Sequence, residues 1–218
     1  QYSDDHMRLL ETVTRLASDA LSNAMQHAEA ESNALTDPLT SLPNARYLAL
    51  RFDEESSRAR RNARPFQVVM FDLDDFKIVN DTFGHKVGDK MLREMGRIIQ
   101  AQLREYDFLA RYAGDEFVAI VQELAGSQVD ELKHRIESAV SDFSLPARGR
   151  HARVGISIGT ATFGIDGETL DQLLVSADQA MYRAKSRHKM DKLARREATG
   201  LEETIFEIDG DKMLVSVN

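Results

Sequence analysis

The 218-residue sequence contains no cysteine, which excludes disulfide bonds and thiolate metal sites and is typical of a reducing compartment. It has no apolar run near the ~20 residues that a membrane-spanning helix needs. No signal peptide is recognisable. We therefore expect a cytoplasmic protein with no membrane contact in this part of the chain. Because the chain begins at Gln1 rather than at methionine, we also expect a fragment of a longer protein.

Basic residues are fewer than acidic ones. The sequence has 28 Lys and Arg and 36 Asp and Glu, which gives a formal net charge of −8. This balance argues against general nucleic-acid binding, although a local basic patch could still hold phosphates. The composition, 42% hydrophobic and 29% charged, is that of an ordinary globular protein. A chain of this length can bury one substantial core and carry a modest appendage.

Proline and glycine are absent from residues 6–35, where apolar side chains recur at intervals of three and four between Leu10 and Ala28. This spacing predicts an apolar seam along one helix. The helix could pack on its own domain, but it would extend ~45 Å at about 1.5 Å per residue, too far for one small domain to cover. A parallel dimeric coiled coil or signalling helix over residues 1–35 is the preferred prediction.

Beyond the two prolines of residues 36–44, the pattern predicts alternating helices and strands. The apolar run at 67–72 is typical of a buried central strand. We predict a loop at 74–88, helices at about 45–62, 88–103, 128–141 and 169–187, and a β-rich segment at 153–163. The order β-α-β-β-α-β-α predicts an α/β (α+β) fold with a ferredoxin-like sheet that carries helices on one face.

The segment REYDFLARYAGDEF at residues 104–117 predicts a strand, a tight turn and a second strand. The adjacent acids Asp115 and Glu116 fall at the turn. Burying them unpaired would be costly, so we expect them to meet cations or water. Right-handed crossovers place the strand at 67–72 beside this hairpin, which brings Asp72 close to Asp115.

The residues at this end of the predicted sheet favour a hard cation and phosphates. Histidine is scarce there apart from His85, so Mg²⁺ or Mn²⁺ fits better than zinc. The available carboxylates are Asp72, Asp74, Asp75, Asp115 and Glu116. Candidate cations for neutralising phosphates are Lys77, Arg111, Lys185 and Lys189. In the alternative interpretation, Asp74 and Asp75 cap the loop, and the two C-terminal lysines lie on a solvated helix face.

Several motifs, in this order, resemble those of the GGDEF family of diguanylate cyclases. DPLTSLPN at 37–44 is similar to DxLTGLPN, and FDLDDFKIVNDTFGHKVGD at 71–89 is similar to FDIDxFKxxNDxxGHxxGD. AGDEF at 113–117 matches the signature turn except at Ala113. VGISIG at 154–159 and ADQAMYRAK at 177–185 resemble the later motifs VTxSxG and ADxAxYxAK. The resemblance covers residues 36–190, which we assign to one domain with a palm-type sheet of the nucleotidyl-cyclase kind.

The resemblance implies a reaction in which two GTP are condensed into cyclic di-GMP with release of pyrophosphate. Asp72 and Asp115 would bind two Mg²⁺ or Mn²⁺ ions in each half-site, helped by the carbonyl of Leu73. Glu116 would assist the metals or activate the attacking 3′-hydroxyl.

The resemblance also implies how GTP is held. Asn80 and Asp89 would hydrogen-bond the guanine edge. Other implied substrate contacts are Phe76, Lys77, His85, Arg111, Gly114, Lys185 and Lys189. The family's Gly-Arg-Asn after the last lysine motif is His-Lys-Met at residues 188–190, so Lys189 stands where the family has its arginine.

Because each such domain holds one GTP, the resemblance implies a homodimer, paired through the N-terminal helix and controlled by an upstream sensor. Arg104 and Asp107 have the spacing of the family's RxxD site for inhibitory cyclic di-GMP, and Arg135 would complete that site from a neighbouring domain. The alternative for this pair is a salt bridge at the strand entry.

Three further interpretations concern the remaining features. The chain could be a silent module that senses cyclic di-GMP or GTP, or a structural dimerisation unit, because Ala113 replaces a glycine of the signature. Degenerate members usually lose the acids or Gly114, which this chain keeps. Two short apolar segments around Asp209 and Gly210 predict a β-hairpin in a C-terminal extension, residues 191–218.

Overall fold

The computed structural model describes residues 13–18, 21, 35–122, 126–199, 205–208 and 211–214; for residues 126, 184, 186–199, 205–208 and 211–214 it describes the backbone alone. Residues 13–18 are helical, and Val13 and Leu16 are exposed there. The rest of the predicted coiled coil falls almost entirely outside the described residues, so it stays a prediction.

Five helices and eight strands follow residue 44 in the described part of the chain. The helices are α1 (Ala45–Asn62), α2 (Phe76–Phe83), α3 (His85–Gln102), α4 (Gly126–Asp142) and α5 (Leu170–Thr199). The strands are β1 (Phe66–Asp74), β2 (Phe108–Ala113), β3 (Glu116–Gln122), β4 (Leu145–Ala147), β5 (Arg150–Ala152), β6 (Gly155–Thr162), β7 (Ile205–Ile208) and β8 (Asp211–Leu214).

A four-stranded sheet with the order β2-β3-β1-β6 forms the centre of the fold, and all neighbouring strands are antiparallel. This arrangement confirms the predicted ferredoxin-like plan and the placement of β1 beside the hairpin. The register sets Asp72 opposite Glu116 on one side and opposite Ser157 on the other. The catalytic candidates therefore gather at one end of the sheet.

The prediction that helices cover one face of the sheet is wrong, because both faces are buried. Val69 and Phe71 of β1 pack into a cluster with residues of α3 and α4, while Val68 and Met70 pack into a second cluster with α1 and α5. A strand that is apolar on both sides, as β1 is, requires cover on both faces.

The predicted loop at 74–88 is also corrected, since it contains α2 and the start of α3. Gly84, with φ 88°, separates the two helices. The short hairpin β4–β5 was not predicted, and α5 runs twelve residues past the predicted end at 187. In the C-terminal segment, where a hairpin is predicted, β7 and β8 pair antiparallel.

Side chains cap the starts of two helices. Asn44 caps α1 by accepting hydrogen bonds from the N–H groups of Arg46 and Tyr47. Thr169 and Gln172 form a capping box before α5, in which each side chain accepts from the other's backbone N–H at 3.3 Å. None of the helices in the described ranges combines the length and the apolar character that a bilayer crossing requires.

Candidate active site

The acids predicted to meet do so at the C-terminal end of β1. Asp72 and Glu116 are direct cross-strand partners, and the N–H of Leu73 donates to the carbonyl of Asp115 at 3.4 Å. All three acids are partly exposed. The apolar β1 and β3 thus bring together carboxylates more than forty residues apart in the sequence.

The signature turn tolerates alanine at its first position. Gly114 has φ 47°, in the left-handed region that glycine adopts without strain. Ala113 does not have positive φ; it ends β2 and pairs with Glu116 after an irregularity in the β2–β3 ladder. The position that demands glycine is therefore the one that keeps it.

Negative charge accumulates around Glu116. Burial raises the pKa of this carboxyl group, and the nearby charges of Asp72, Asp115 and Asp178 raise it further, while Lys185 acts in the opposite direction. A carboxyl group whose pKa is raised in this way is suited to accept a proton. The same charges also attract a cation.

The ammonium group of Lys185 already lies among these acids. Its Nζ donates to Oδ1 of Asp72 and lies 3.4 Å from Oδ1 of Asp74. Burial alone would lower the pKa of Lys185, but the hydrogen bond and charge of Asp72, together with Asp74, raise it. Lys185 therefore does not lie on a purely solvated helix face.

The donor chemistry of this cluster fits a hard divalent cation, because it consists of oxygens that already hold an ammonium group. Among the described residues, no three carboxylate or imidazole groups are placed to enclose a metal ion by themselves. Mg²⁺ commonly takes one or two carboxylates and completes its shell with substrate phosphates. The residues therefore fit a metal that binds together with a nucleotide.

Asn80 belongs to α2 and Asp89 to α3, and Gly88 of α3 lies directly against the Asn80 side chain. A Cβ built on Gly88 would lie 1.9 Å from Oδ1 and 2.9 Å from Cγ of Asn80. Gly88 thus leaves room for the Asn80 amide. Gly88 was not predicted as a site residue, although it stands next to Asp89 in the matched motif.

Three other predicted substrate contacts belong to the same two helices. Phe76 is half-buried against the core, whereas Lys77 and His85 are exposed. Asp75 precedes α2 in a left-handed conformation, with φ 63°, and its side chain makes no capping hydrogen bond. The Lys189 side chain lies outside the described residues.

Arg111 clamps the signature turn to the segment that enters the domain. Its Nε and Nη2 donate to the carbonyl of Gly114 at 3.0 and 2.7 Å, and its Nη1 donates to both carboxylate oxygens of Asp37 at 3.0 and 3.1 Å. Asp37 also accepts from the N–H and hydroxyl of Thr40. These contacts aim the guanidinium at the turn and at Asp37, and the predicted contact of Arg111 with phosphate stays a prediction.

Replacing Asp37 by asparagine is expected to lower the free energy of unfolding by about 1–2 kcal/mol at pH 7. Burial acts to raise the pKa of Asp37, but hydrogen bonds from Thr40 and Arg111 lower it overall. The stabilisation by the Asp37 carboxylate is thus present at neutral pH, and it is lost as the pH falls through the pKa that Asp37 has in the folded protein. Urea unfolding at pH 7 and pH 3 measures it.

The control for this experiment is Asp130→Asn, because the side chain of Asp130 is 81% exposed on α4. This variant should change the free energy of unfolding little at either pH. An Asp37→Asn deficit that is the same at both pH values would contradict the proposed ionic clamp.

The predicted product site lies on the opposite side of the hairpin. Arg104 and Asp107 occupy the turn before β2, and together with Arg135 of the same subunit they line one surface cavity. Asp107 accepts from the backbone N–H of Arg104 at 2.9 Å, while the Arg104 guanidinium donates to the Tyr106 hydroxyl at 2.8 Å. The alternative of a salt bridge between the two side chains does not describe these contacts.

Burial raises the pKa of Asp107, although N–H donors and the charge of Arg104 oppose the shift. Arg135 donates to the carbonyl of Gln102. Arg135 thus lines the cavity of its own subunit, and its contribution to the site of a neighbouring domain stays a prediction.

Comparison with known proteins identifies the same domain. The family profile described as "Diguanylate cyclase, GGDEF domain" matches residues 34–191. The bifunctional diguanylate cyclase/cyclic di-GMP phosphodiesterase MucR of Pseudomonas aeruginosa is 37% identical over 176 residues, which cover 81% of this chain and 25% of MucR. The response regulator PleD of Caulobacter vibrioides is 37% identical over 171 residues, 78% of this chain and 37% of PleD.

Among solved structures, the coiled coil and GGDEF domain of DgcB from Caulobacter crescentus, in complex with c-di-GMP, aligns with a TM-score of 0.73 and 28% identity. The alignment covers 81% of this chain and 94% of that one. By contrast, this chain spans only about a quarter to a third of the two curated relatives, at 25% and 37% of their lengths.

Proposed function

The chain belongs to the GGDEF-domain family of diguanylate cyclases, and on that premise we propose that it condenses two GTP into cyclic di-GMP with release of two pyrophosphates. The observation that supports this most is that Asp72, Asp115 and Glu116 lie at one end of the sheet, where the ammonium group of Lys185 donates to Asp72. A site of this kind suits phosphoryl transfer, in which catalysis depends on positioning and on neutralising charge.

Asp72, the Leu73 carbonyl, Asp115 and Glu116 would hold two Mg²⁺ or Mn²⁺ ions, which would neutralise charge on the triphosphate and the attacking oxygen. Glu116 is suited to take the proton of the 3′-hydroxyl, because burial and neighbouring acids raise its pKa. Lys77 and Lys185 would contact the phosphates.

Asn80 and Asp89 would recognise guanine, because an amide oxygen and a carboxylate can accept from its ring and exocyclic N–H groups. The clearance at Gly88 supports this role for Asn80. Phe76, His85 and Gly114 would line the nucleotide site, and Lys189 would approach the phosphates.

The reaction requires two subunits, since each domain would hold one GTP and each 3′-oxygen must reach the α-phosphorus of the other nucleotide. We propose a homodimer paired through the N-terminal helix, residues 1–35, and driven by an upstream sensor. The Arg111 clamp supports this arrangement, because it joins the entry of the domain to the signature turn.

Cyclic di-GMP is proposed to inhibit the enzyme by binding the cavity lined by Arg104, Asp107 and Arg135. Guanidinium groups can pair with phosphate, and a carboxylate can accept from guanine N–H groups. This cavity lies at the start of β2, away from the turn that holds Asp115.

Replacing Arg104 by alanine is expected to weaken cyclic di-GMP binding at least about tenfold, because a charge-assisted contact is lost. Calorimetry on the purified protein measures the affinity, and initial rates at increasing product concentration measure the inhibition. Arg97→Ala is the matched control, since Arg97 is 72% exposed on α3 and pairs with Glu94. Equal product affinity in Arg104→Ala and wild type would remove Arg104 from the site.

A sensing module without turnover is the second candidate, favoured by the cavity at Arg104 and by the departure at Ala113. Incubation with GTP and Mg²⁺ separates the candidates. A cyclase forms cyclic di-GMP and pyrophosphate, a sensor binds cyclic di-GMP or GTP without turnover, and a dimerisation unit does neither.

A further inference from the structure

Lys185 lies against two carboxylates at the C-terminal end of β1. It donates to Asp72, one of the proposed metal ligands, and its Nζ lies 3.4 Å from Oδ1 of Asp74. The Lys185 side chain is 36% exposed, so solvent can reach it and the group has room to move. Two cations next to the same carboxylate oxygen repel each other, so an ammonium group in this position opposes a second cation there.

Ser157 holds the carboxylate of Asp74, the second acid that Lys185 contacts. It is fully buried on β6, and its hydroxyl lies 2.8 and 3.0 Å from the two carboxylate oxygens of Asp74. The register places Ser157 directly opposite Asp72 on β1, two residues before Asp74. A buried hydroxyl that spans both oxygens restricts rotation of the carboxylate, which keeps Asp74 facing Lys185.

We infer that Lys185 is a placeholder for the divalent cation, held by Asp72 and Asp74, and that Ser157 is a positioning residue that acts on it through Asp74. The inference rests on the proposed function, because the phosphates of a bound nucleotide supply the second position of the ammonium group. In the nucleotide-free protein the ammonium neutralises the acids. When nucleotide binds, the ammonium moves to its phosphates and leaves the acids to the metal.

This arrangement gives Lys185 opposite effects in two states of the protein. Without nucleotide it competes with the metal, so its removal tightens metal binding. With nucleotide it contacts phosphate, so its removal weakens nucleotide binding. A lysine that contacts phosphate alone would leave the metal affinity of the nucleotide-free protein unchanged.

The test is titration of Mn²⁺ into nucleotide-free protein, followed by electron paramagnetic resonance of the free ion. Lys185→Met is expected to bind Mn²⁺ about tenfold more tightly than wild type, because a charge-assisted contact no longer has to be broken. Lys133→Met, on α4, makes the same change of charge away from the site and should match wild type. A non-hydrolysable GTP analogue should bind Lys185→Met more weakly.

Ser157→Ala tests the positioning role. Ser157→Ala should tighten Mn²⁺ binding to the nucleotide-free protein by about threefold. The change loosens the contact of Lys185 with Asp74 but leaves its contact with Asp72 in place. In the Lys185→Met background it should have no further effect, since Ser157 acts through the ammonium group. Thermal melting verifies that each variant is folded.

The placeholder role of Lys185 is contradicted if Lys185→Met binds Mn²⁺ no more tightly than wild type does, or if neither protein binds Mn²⁺. An effect of Ser157→Ala that persists without Lys185 overturns the positioning role. Cyclic di-GMP formation by the same wild-type preparation is scored separately. A protein that makes no product contradicts the proposed function, while the Mn²⁺ titration still decides the inference about Lys185.

Discussion

Replacing Asp115 by alanine is expected to reduce the formation of cyclic di-GMP at least about 1000-fold. The substitution removes a proposed metal ligand from the turn between β2 and β3. Chromatography of the products formed from GTP and Mg²⁺ measures the loss.

The fold should survive this change. Asp115 raises the pKa of Glu116 by charge repulsion, so its removal relieves crowding of negative charge and should leave the melting temperature unchanged or higher. Asp130→Ala, an exposed carboxylate on α4, is the matched control and should retain wild-type turnover. If the Asp115→Ala protein keeps a tenth of the wild-type rate or more, Asp115 is not a metal ligand of the reaction.

The second large effect is expected for Gly88→Ala, which should raise KM for GTP about 30-fold. The new Cβ would lie 1.9 Å from Oδ1 of Asn80, so the amide must leave its place beside α3. The proposed hydrogen bonds to guanine are lost with it. Steady-state kinetics over a range of GTP concentrations separates this rise in KM from a change in kcat.

The control is the same substitution in an Asn80→Ala background. There the obstructing amide is absent, and Gly88→Ala should not raise KM further. The preference of a helix for alanine over glycine, about 0.5–1 kcal/mol, is opposed there by the Cζ of Phe76, 3.3 Å from the new Cβ, so the free energy of unfolding should rise by less than this. A further rise in KM in the double variant would mean that Gly88 acts on something other than Asn80.

The sheet and the gathering of the acids could be predicted because both depend on strong local patterns. The apolar run of β1 and the hairpin turn define two strands, and chain topology then makes them neighbours. Helix α2 was missed because its sequence, FKIVNDTF, is short and rich in weak helix formers. The segment at residues 74–88 was therefore predicted to be a loop.

The partners of the long side chains could not be predicted in this way. Arg111 finds Asp37 across 74 residues of sequence, and Lys185 finds Asp72 across 113. Neither contact leaves a periodic signal. The roles of Gly88 and Ser157 were missed for a related reason, because they depend on which atoms lie opposite them once the elements have packed.

Ser41 and Ala113 both stand where the resembled family has glycine, and the structure separates them. Ser41 has φ 62°, so its backbone lies in the strained left-handed region, whereas Ala113 does not have positive φ. The departure in the signature turn is therefore the less demanding of the two. This comparison supports a competent catalytic turn.

The central claim is that this chain contributes half of a two-subunit diguanylate cyclase site. The most direct test is to incubate the wild-type protein with GTP and Mg²⁺ at increasing protein concentration and to quantify both products. The account predicts cyclic di-GMP with two pyrophosphates for each, at a rate per subunit that rises with protein concentration until dimers saturate. Bound GTP that yields neither product at any protein concentration would contradict it.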